Sequence, residues 1–116
     1  MEKFGLKKKE RLSGRKSIQE LFDNGSSFYL YPFKVIFLRG KASQFLVSVP
    51  KSIFKRAVDR NLIKRRIREG YRLNKVKFVS AHFFSIAYIY TAKEILPSAV
   101  IHQKIILSFD KLKDRK

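Results

Sequence analysis

The sequence predicts an α+β sandwich: a sheet of about four strands packed with three helices, in the order α-β-β-β-α-β-α. Three observations lead there. Apolar residues recur at helical spacing in three separate stretches, near positions 18–22, 57–74 and 98–113. Between them lie runs rich in aromatic and β-branched residues, at Phe28–Leu38, Phe45–Val49 and His82–Thr91. Of the 116 residues 45% are hydrophobic, with eleven Phe and five Tyr, enough to close the core of one domain despite a net charge of +18.

Taken in order, residues 1–10 are a basic leader without apolar period, expected to be flexible. Ser13 is suited to cap a first helix, in which Ile18, Leu21 and Phe22 share a face, and Asn24-Gly25 stops it. Phe28–Leu38 reads as one or two strands around Pro32. Gly40-Lys41-Ala42-Ser43 is a turn, and Phe45–Val49 reads as a strand buried on both faces, ended by Pro50. A long helix starts near Ala57, with Asp59 in the first turn where an acid suits the helix dipole, and fades by Asn74. His82–Thr91 has the apolar run of a central strand. Pro97 and Ser98 open a final helix to about Lys113, with Val100, Ile101, Ile105, Leu107, Phe109 and Leu112 as core candidates.

Charge carries the functional signal. Half of the excess, +9 of +18, sits in residues 51–77. Ile63, Ile67 and Tyr71 repeat every four residues and supply a face for the core, while Arg60, Lys64, Arg68 and Arg72 repeat beside them. Like charges four apart on a helix repel, at roughly a few tenths of a kcal/mol per pair. Such a stripe calls for a partner that neutralises it, and polyphosphate is the obvious candidate. The Arg residues offer planar forks for phosphate and the Lys residues point charges, while Asn61, a neutral amide among cations, can both donate and accept.

Other classes recede. Without cysteine there is neither a disulfide nor a thiolate metal site, and the amino terminus lacks the apolar run of a signal peptide. Phe83–Tyr90 is far shorter than the roughly 20 residues of a membrane-spanning helix, so a cytoplasmic protein that does not act on membranes is expected. The nine acids are scattered, and His82 and His102 stand in no metal-binding or catalytic spacing, so neither catalytic residues nor metal ligands are expected in the chain. Tyr29, Tyr31, Phe33, Phe37 and Phe45 could stack unpaired bases, although strand alternation assigns most of them to the core.

The segment KSIFKRAVDRNLIKRRIREGYR resembles the signature of the bacterial ribonuclease P protein component. Lys51, Phe54, Lys55, Arg56, Ala57, Arg60, Asn61, Ile63, Lys64, Arg65, Ile67, Arg68, Glu69 and Tyr71 match it in register. Arg11, Leu12, Ile18, Phe22 and Gly25 match the family's amino-terminal pattern. The resemblance implies the protein subunit of an endoribonuclease that removes the 5′ leader of precursor tRNA. The catalytic RNA subunit then does the chemistry with Mg²⁺, and the protein needs no cofactor and no protein partner. A ribosomal or general RNA-binding protein without a role in cleavage is the alternative. The implied fold is like that of the second domain of ribosomal protein S5, with the signature helix joining two parallel strands by a left-handed crossover. Carried over, Lys51, Lys55, Arg56, Arg60, Asn61, Lys64, Arg65 and Arg68 would meet the catalytic RNA. Phe22 would line a leader-binding cleft between the first helix and the sheet. Two further cleft positions, aromatic in the family, fall on Ile18 and Ile36, which offer apolar contact without stacking. The usual RNRIKRL reads RNLIKRR here, with Leu62 and Arg66 one turn apart. Arg66 is therefore expected to bring to the RNA the positive charge missing at 62, displaced roughly 5–6 Å along the helix.

Overall fold

The computed structural model describes residues 15–40, 44–74 and 83–113; the basic leader, Ser13, the turn at 41–43 and His82 lie outside them. Seven elements follow the expected order: α1 (Arg15–Asn24), β1 (Ser26–Leu30), β2 (Phe33–Gly40), β3 (Gln44–Ser48), α2 (Ala57–Asn74), β4 (Phe83–Tyr90) and α3 (Ser98–Lys113). The strands form one sheet in the order β1-β2-β4-β3. β1 and β4 run antiparallel to β2, whereas β3 and β4 are parallel, so α2 joins two parallel neighbours. The aromatic run at 28–38 resolves into two strands because Pro32 sits at the turn between them, behind a cis Tyr31-Pro32 peptide.

Cross-strand register sorts the side chains. Phe28, Val35, Tyr88 and Val47 stand in one row, with Phe37, Ile86 and Phe45 in the next, all on the face that meets α2 and α3. Ile63, Ile67 and Tyr71 of α2 and Ile101, Ile105, Phe109 and Leu112 of α3 complete this core. Phe45 stacks flat on Tyr71, ring centroids 4.1 Å apart and planes 6° off parallel. The fully buried Tyr88 hydroxyl lies 2.8 Å from Ser108 Oγ, whose own proton goes to the Ile105 carbonyl, so Tyr88 is the donor to Ser108. Burial holds the Tyr88 hydroxyl neutral far above the usual tyrosine range. The opposite face carries a smaller cluster: Leu21 of α1 on Ile36 and Ala87, flanked by Ile18, Leu38, Leu46 and Ile89.

Two expectations need correction. Phe45–Val49 is not buried on both faces: β3 is an edge strand, and within it only Phe45 is buried while Leu46, Val47 and Ser48 are partly open. A short apolar run looks the same at the edge of a sheet as at its centre, and the parallel pairing that puts β4 inside is non-local. Val100 is only half-buried outside the core cluster, and Leu107 is not core but 39% exposed. Leu107 stands two residues past buried Ile105, about 200° around the helix.

Two glycines mark where backbones press together. A Cβ on Gly25 would lie 3.0 Å from both Ile36 Cγ2 and the Phe37 carbonyl oxygen, so the turn from α1 into β1 leaves no room for one. A Cβ on Gly70 would lie 2.8 Å from His102 and 2.8 Å from Ile105, which sets the close crossing of α2 on α3.

Candidate nucleic-acid interface

α2 buries Ile63, Ile67, Gly70, Tyr71 and Asn74 and turns its remaining circumference outward. Asn61, Arg65 and Arg68 stand exposed at i, i+4 and i+7, forming one line along the helix. Two shallow depressions flank that line. One, of about 420 Å³, is lined by Val58, Asn61, Leu62 and Arg65; the other, of about 290 Å³, by Arg65, Arg68, Glu69 and Arg72. Arg65 belongs to both and stands at their shared rim.

The four-residue stripe is less uniform than its spacing suggests. Arg60, Lys64 and Arg72 are half-buried along the flank of α2, and of the four only Arg68 is exposed. Arg60 turns back: its Nη1 donates to the carbonyls of Phe54 at 2.8 Å and Lys55 at 2.9 Å. The loop it ties down carries the exposed cations Lys51, Lys55 and Arg56. Phe54 plugs the same loop into the core, 7% exposed, with its ring 5.9 Å from that of Tyr90. The Phe54 and Ile53 amides both donate to the Pro50 carbonyl. Three cations are thus held at the amino-terminal, positive end of α2 by an aromatic anchor and an arginine clamp. A cationic surface fixed before binding loses less side-chain entropy when it meets phosphate.

Arg66 has a different position from the one its place in the motif suggests. It is half-buried, and its Nη1 donates to the Leu96 carbonyl at 2.7 Å in the loop leading into α3. Tyr90 grips the same loop, donating to the Glu94 carbonyl at 2.8 Å and accepting from the Leu96 amide at 3.1 Å. The charge displaced from position 62 is therefore bound into a strut between α2 and the loop, with the outward line left to Asn61, Arg65 and Arg68. His102 is also structural: its Nε2 lies 3.2 Å from the Arg66 carbonyl, which can only accept, so Nε2 carries the proton.

On the other side of the sheet, α1 presents Phe22 at 43% exposure and half-buried Ile18. Ile36 is 6% exposed beneath Leu21 and Gly25, a floor rather than a wall of any cleft. Of the five strand aromatics considered for stacking, Phe33, Phe37 and Phe45 are buried, whereas Tyr29 and Tyr31 are 61% and 45% exposed. The row beside the Ile36 row reads Tyr29, Lys34, Ile89 and Ser48. Lys34 escaped notice in the sequence, although its place two residues before Ile36 in the same strand put it on that face. Among the described residues no three His, Asp or Glu side chains cluster as metal ligands, and no helix is long and apolar enough to cross a membrane.

Comparison with known proteins brings these features under one heading. The sequence profile of the family described as Ribonuclease P matches residues 6–112. A ribonuclease P protein component from Porphyromonas gingivalis is 48% identical over 77 residues, which cover 62% of this chain and 56% of that protein. The match thus spans little more than half of that relative's length. An RNase P protein from Thermotoga maritima superposes with a TM-score of 0.75 at 26% identity, over 88% of this chain and 96% of that one. A Staphylococcus aureus RNase P protein mutant with defective mRNA degradation activity gives 0.75 at 25% identity, over 91% and 90%. Because the similarity runs from α1 into α3, well beyond the basic helix, the chain belongs to the ribonuclease P protein family.

Proposed function

We propose that this chain is the protein subunit of a ribonuclease P holoenzyme, working in the cytoplasm on precursor tRNA. Its partner is a catalytic RNA, and hydrolysis of the leader bond belongs to that RNA and its bound Mg²⁺. The observation that carries this reading is the outward line Asn61, Arg65 and Arg68 on α2, continued by Lys51, Lys55 and Arg56 on a loop locked by Phe54 and Arg60. Forked guanidiniums at one-turn spacing suit the closely spaced phosphates of a folded RNA, and Asn61 adds a neutral donor and acceptor.

The protein contributes binding. Cations on α2 and its loop replace counterions along the catalytic RNA, so affinity falls with salt. The opposite face, with Phe22 and Ile18 beside the sheet, takes the single-stranded leader, whose unstacked bases can lie on apolar and aromatic side chains. Two faces used this way link enzyme RNA to substrate, and the gain is in substrate affinity and in the Mg²⁺ concentration that cleavage requires.

The test is reconstitution with the cognate catalytic RNA at Mg²⁺ too low for the RNA alone. Release of an intact 5′ leader from precursor tRNA is the expected result. If the protein binds the RNA yet leaves cleavage unchanged at every Mg²⁺ level, it is a general RNA binder and not a subunit of this enzyme.

A further inference from the structure

The β1–β2 hairpin carries an exposed aromatic residue that the motif helix and α1 leave unexplained. Tyr29 is 61% exposed, the largest value among the aromatic side chains of the described residues, on the face that α1 covers only in part. Its ring is held from its far end. The Tyr29 hydroxyl lies 3.2 Å from Thr91 Oγ1, and the Thr91 hydroxyl proton already goes to the Pro32 carbonyl at 2.9 Å, so Tyr29 is the donor. The Thr91 amide donates to the same carbonyl at 2.7 Å, which closes the hairpin tip onto the end of β4. Directly across the ladder from Tyr29 is Lys34, also exposed and on the same face. Opposed residues in an antiparallel pair keep their Cβ atoms about 5 Å apart, so the ammonium can reach beside the ring.

We infer that Tyr29 and Lys34 form a single-strand RNA subsite: one unpaired leader base stacks on the Tyr29 ring while Lys34 meets an adjoining phosphate. This rests on the proposed leader binding and extends the strand's path beyond α1, past a floor where Ile18 and Ile36 offer no ring. The elements of a stacking platform are present together. The ring is exposed, its orientation is fixed by a hydroxyl bond that leaves its face open, and a cation adjoins it. Tyr31 does not share the role, since its hydroxyl donates to the Glu94 carboxylate at 3.2 Å and that charge repels phosphate.

The experiment measures binding of precursor tRNA, with leaders of increasing length, and of mature tRNA to reconstituted holoenzyme. Tyr29→Ala should weaken binding of long-leader precursor by about 5- to 100-fold, as loss of one base–aromatic stack does, and leave mature tRNA unchanged. Tyr29→Phe, which keeps the ring and loses the Thr91 bond, should retain most of the affinity. Lys34→Ala should lower the salt slope of precursor binding by about 0.7, the share of one single-strand phosphate. Tyr31→Ala should match the unaltered protein. The inference is overturned if Tyr29→Ala binds long-leader precursor as tightly as the unaltered holoenzyme, or if Tyr29→Phe loses as much as Tyr29→Ala. The leader-binding reading itself fails separately, when the unaltered holoenzyme binds precursor and mature tRNA alike.

Discussion

At the scale of single residues, motif position and role part company. Arg66 lies within a run of cations whose composition points to phosphate, yet its guanidinium holds the Leu96 carbonyl. Arg65, one residue earlier and 100° around the helix, is exposed between two depressions. The pair makes a clean contrast. Arg66→Leu should cost about 1.5–3 kcal/mol of folding stability, the range for losing a hydrogen bond from a charged donor. Arg65→Leu should leave the melting temperature unchanged or slightly raised, since it removes one cation from the repelling surface, and should weaken RNA binding. Thermal melts of the two free variants, beside their affinities for the catalytic RNA, check this; equal melting temperatures would remove the strut. Nothing in the sequence separates the two, because both are Arg and the acceptor lies thirty residues away in an irregular loop. The strand aromatics were ambiguous for a related reason. Alternation puts Phe33 and Phe37 together and Lys34 with Ile36, but which set meets α2 and α3 depends on packing that no local pattern records.

At the scale of elements, helix boundaries were legible because their signals are local. The α2 span from Ala57 to Asn74 follows the spacing of Ile63, Ile67 and Tyr71, and α3 opens where Pro97 accepts the first amides of the helix. Strand placement was less so: β3 looked central and is an edge. The packing of α2 on α3 has its own signal in Gly70, which the basic motif conceals. By helix propensity alone, Gly70→Ala should stabilise the protein by about 1 kcal/mol. The new Cβ, however, would sit 2.8 Å from both His102 Cδ2 and Ile105 Cδ1. Ile105 is fully buried and His102 is tied to the Arg66 carbonyl, so neither side chain yields freely. Overpacking of this kind costs roughly 1–3 kcal/mol, which outweighs the propensity gain. The expected outcome is net destabilisation of up to about 2 kcal/mol in urea unfolding, partly relieved in Gly70→Ala/Ile105→Val. A more stable Gly70→Ala would show that the two helices can separate without cost.

At the scale of the whole molecule, a charge of +18 on 116 residues acts oppositely on folding and on binding. Folding gathers cations that the unfolded chain keeps apart: α2 carries Arg60, Lys64, Arg65, Arg66, Arg68 and Arg72 within four turns, next to Lys51, Lys55 and Arg56. That repulsion opposes the compact state, and salt screens it. Raising monovalent salt from about 0.05 to 0.5 M shortens the screening length from roughly 14 to 4 Å, below the span of the cationic surface. The free protein should therefore melt higher, by about 3–6 °C if screening recovers roughly 1 kcal/mol. Its complex with RNA should respond the other way. Each phosphate neutralised by Lys or Arg returns a counterion to solution, so with six contacts affinity drops about a thousandfold between about 50 and 200 mM. The two responses share a cause, since the outward cations Lys51, Lys55, Arg56, Arg65 and Arg68 repel one another in the free fold and are those proposed to meet RNA phosphate. Polyanion binding should then raise the melting temperature most at low salt, where the relieved repulsion is largest, and the increment should shrink as salt rises. Scanning calorimetry of free and RNA-bound protein across that range tests the coupling. A free protein that melts lower in added salt would mean that ion pairs, rather than repulsion, dominate the folded state, and the cationic surface would then carry no folding penalty for RNA to relieve.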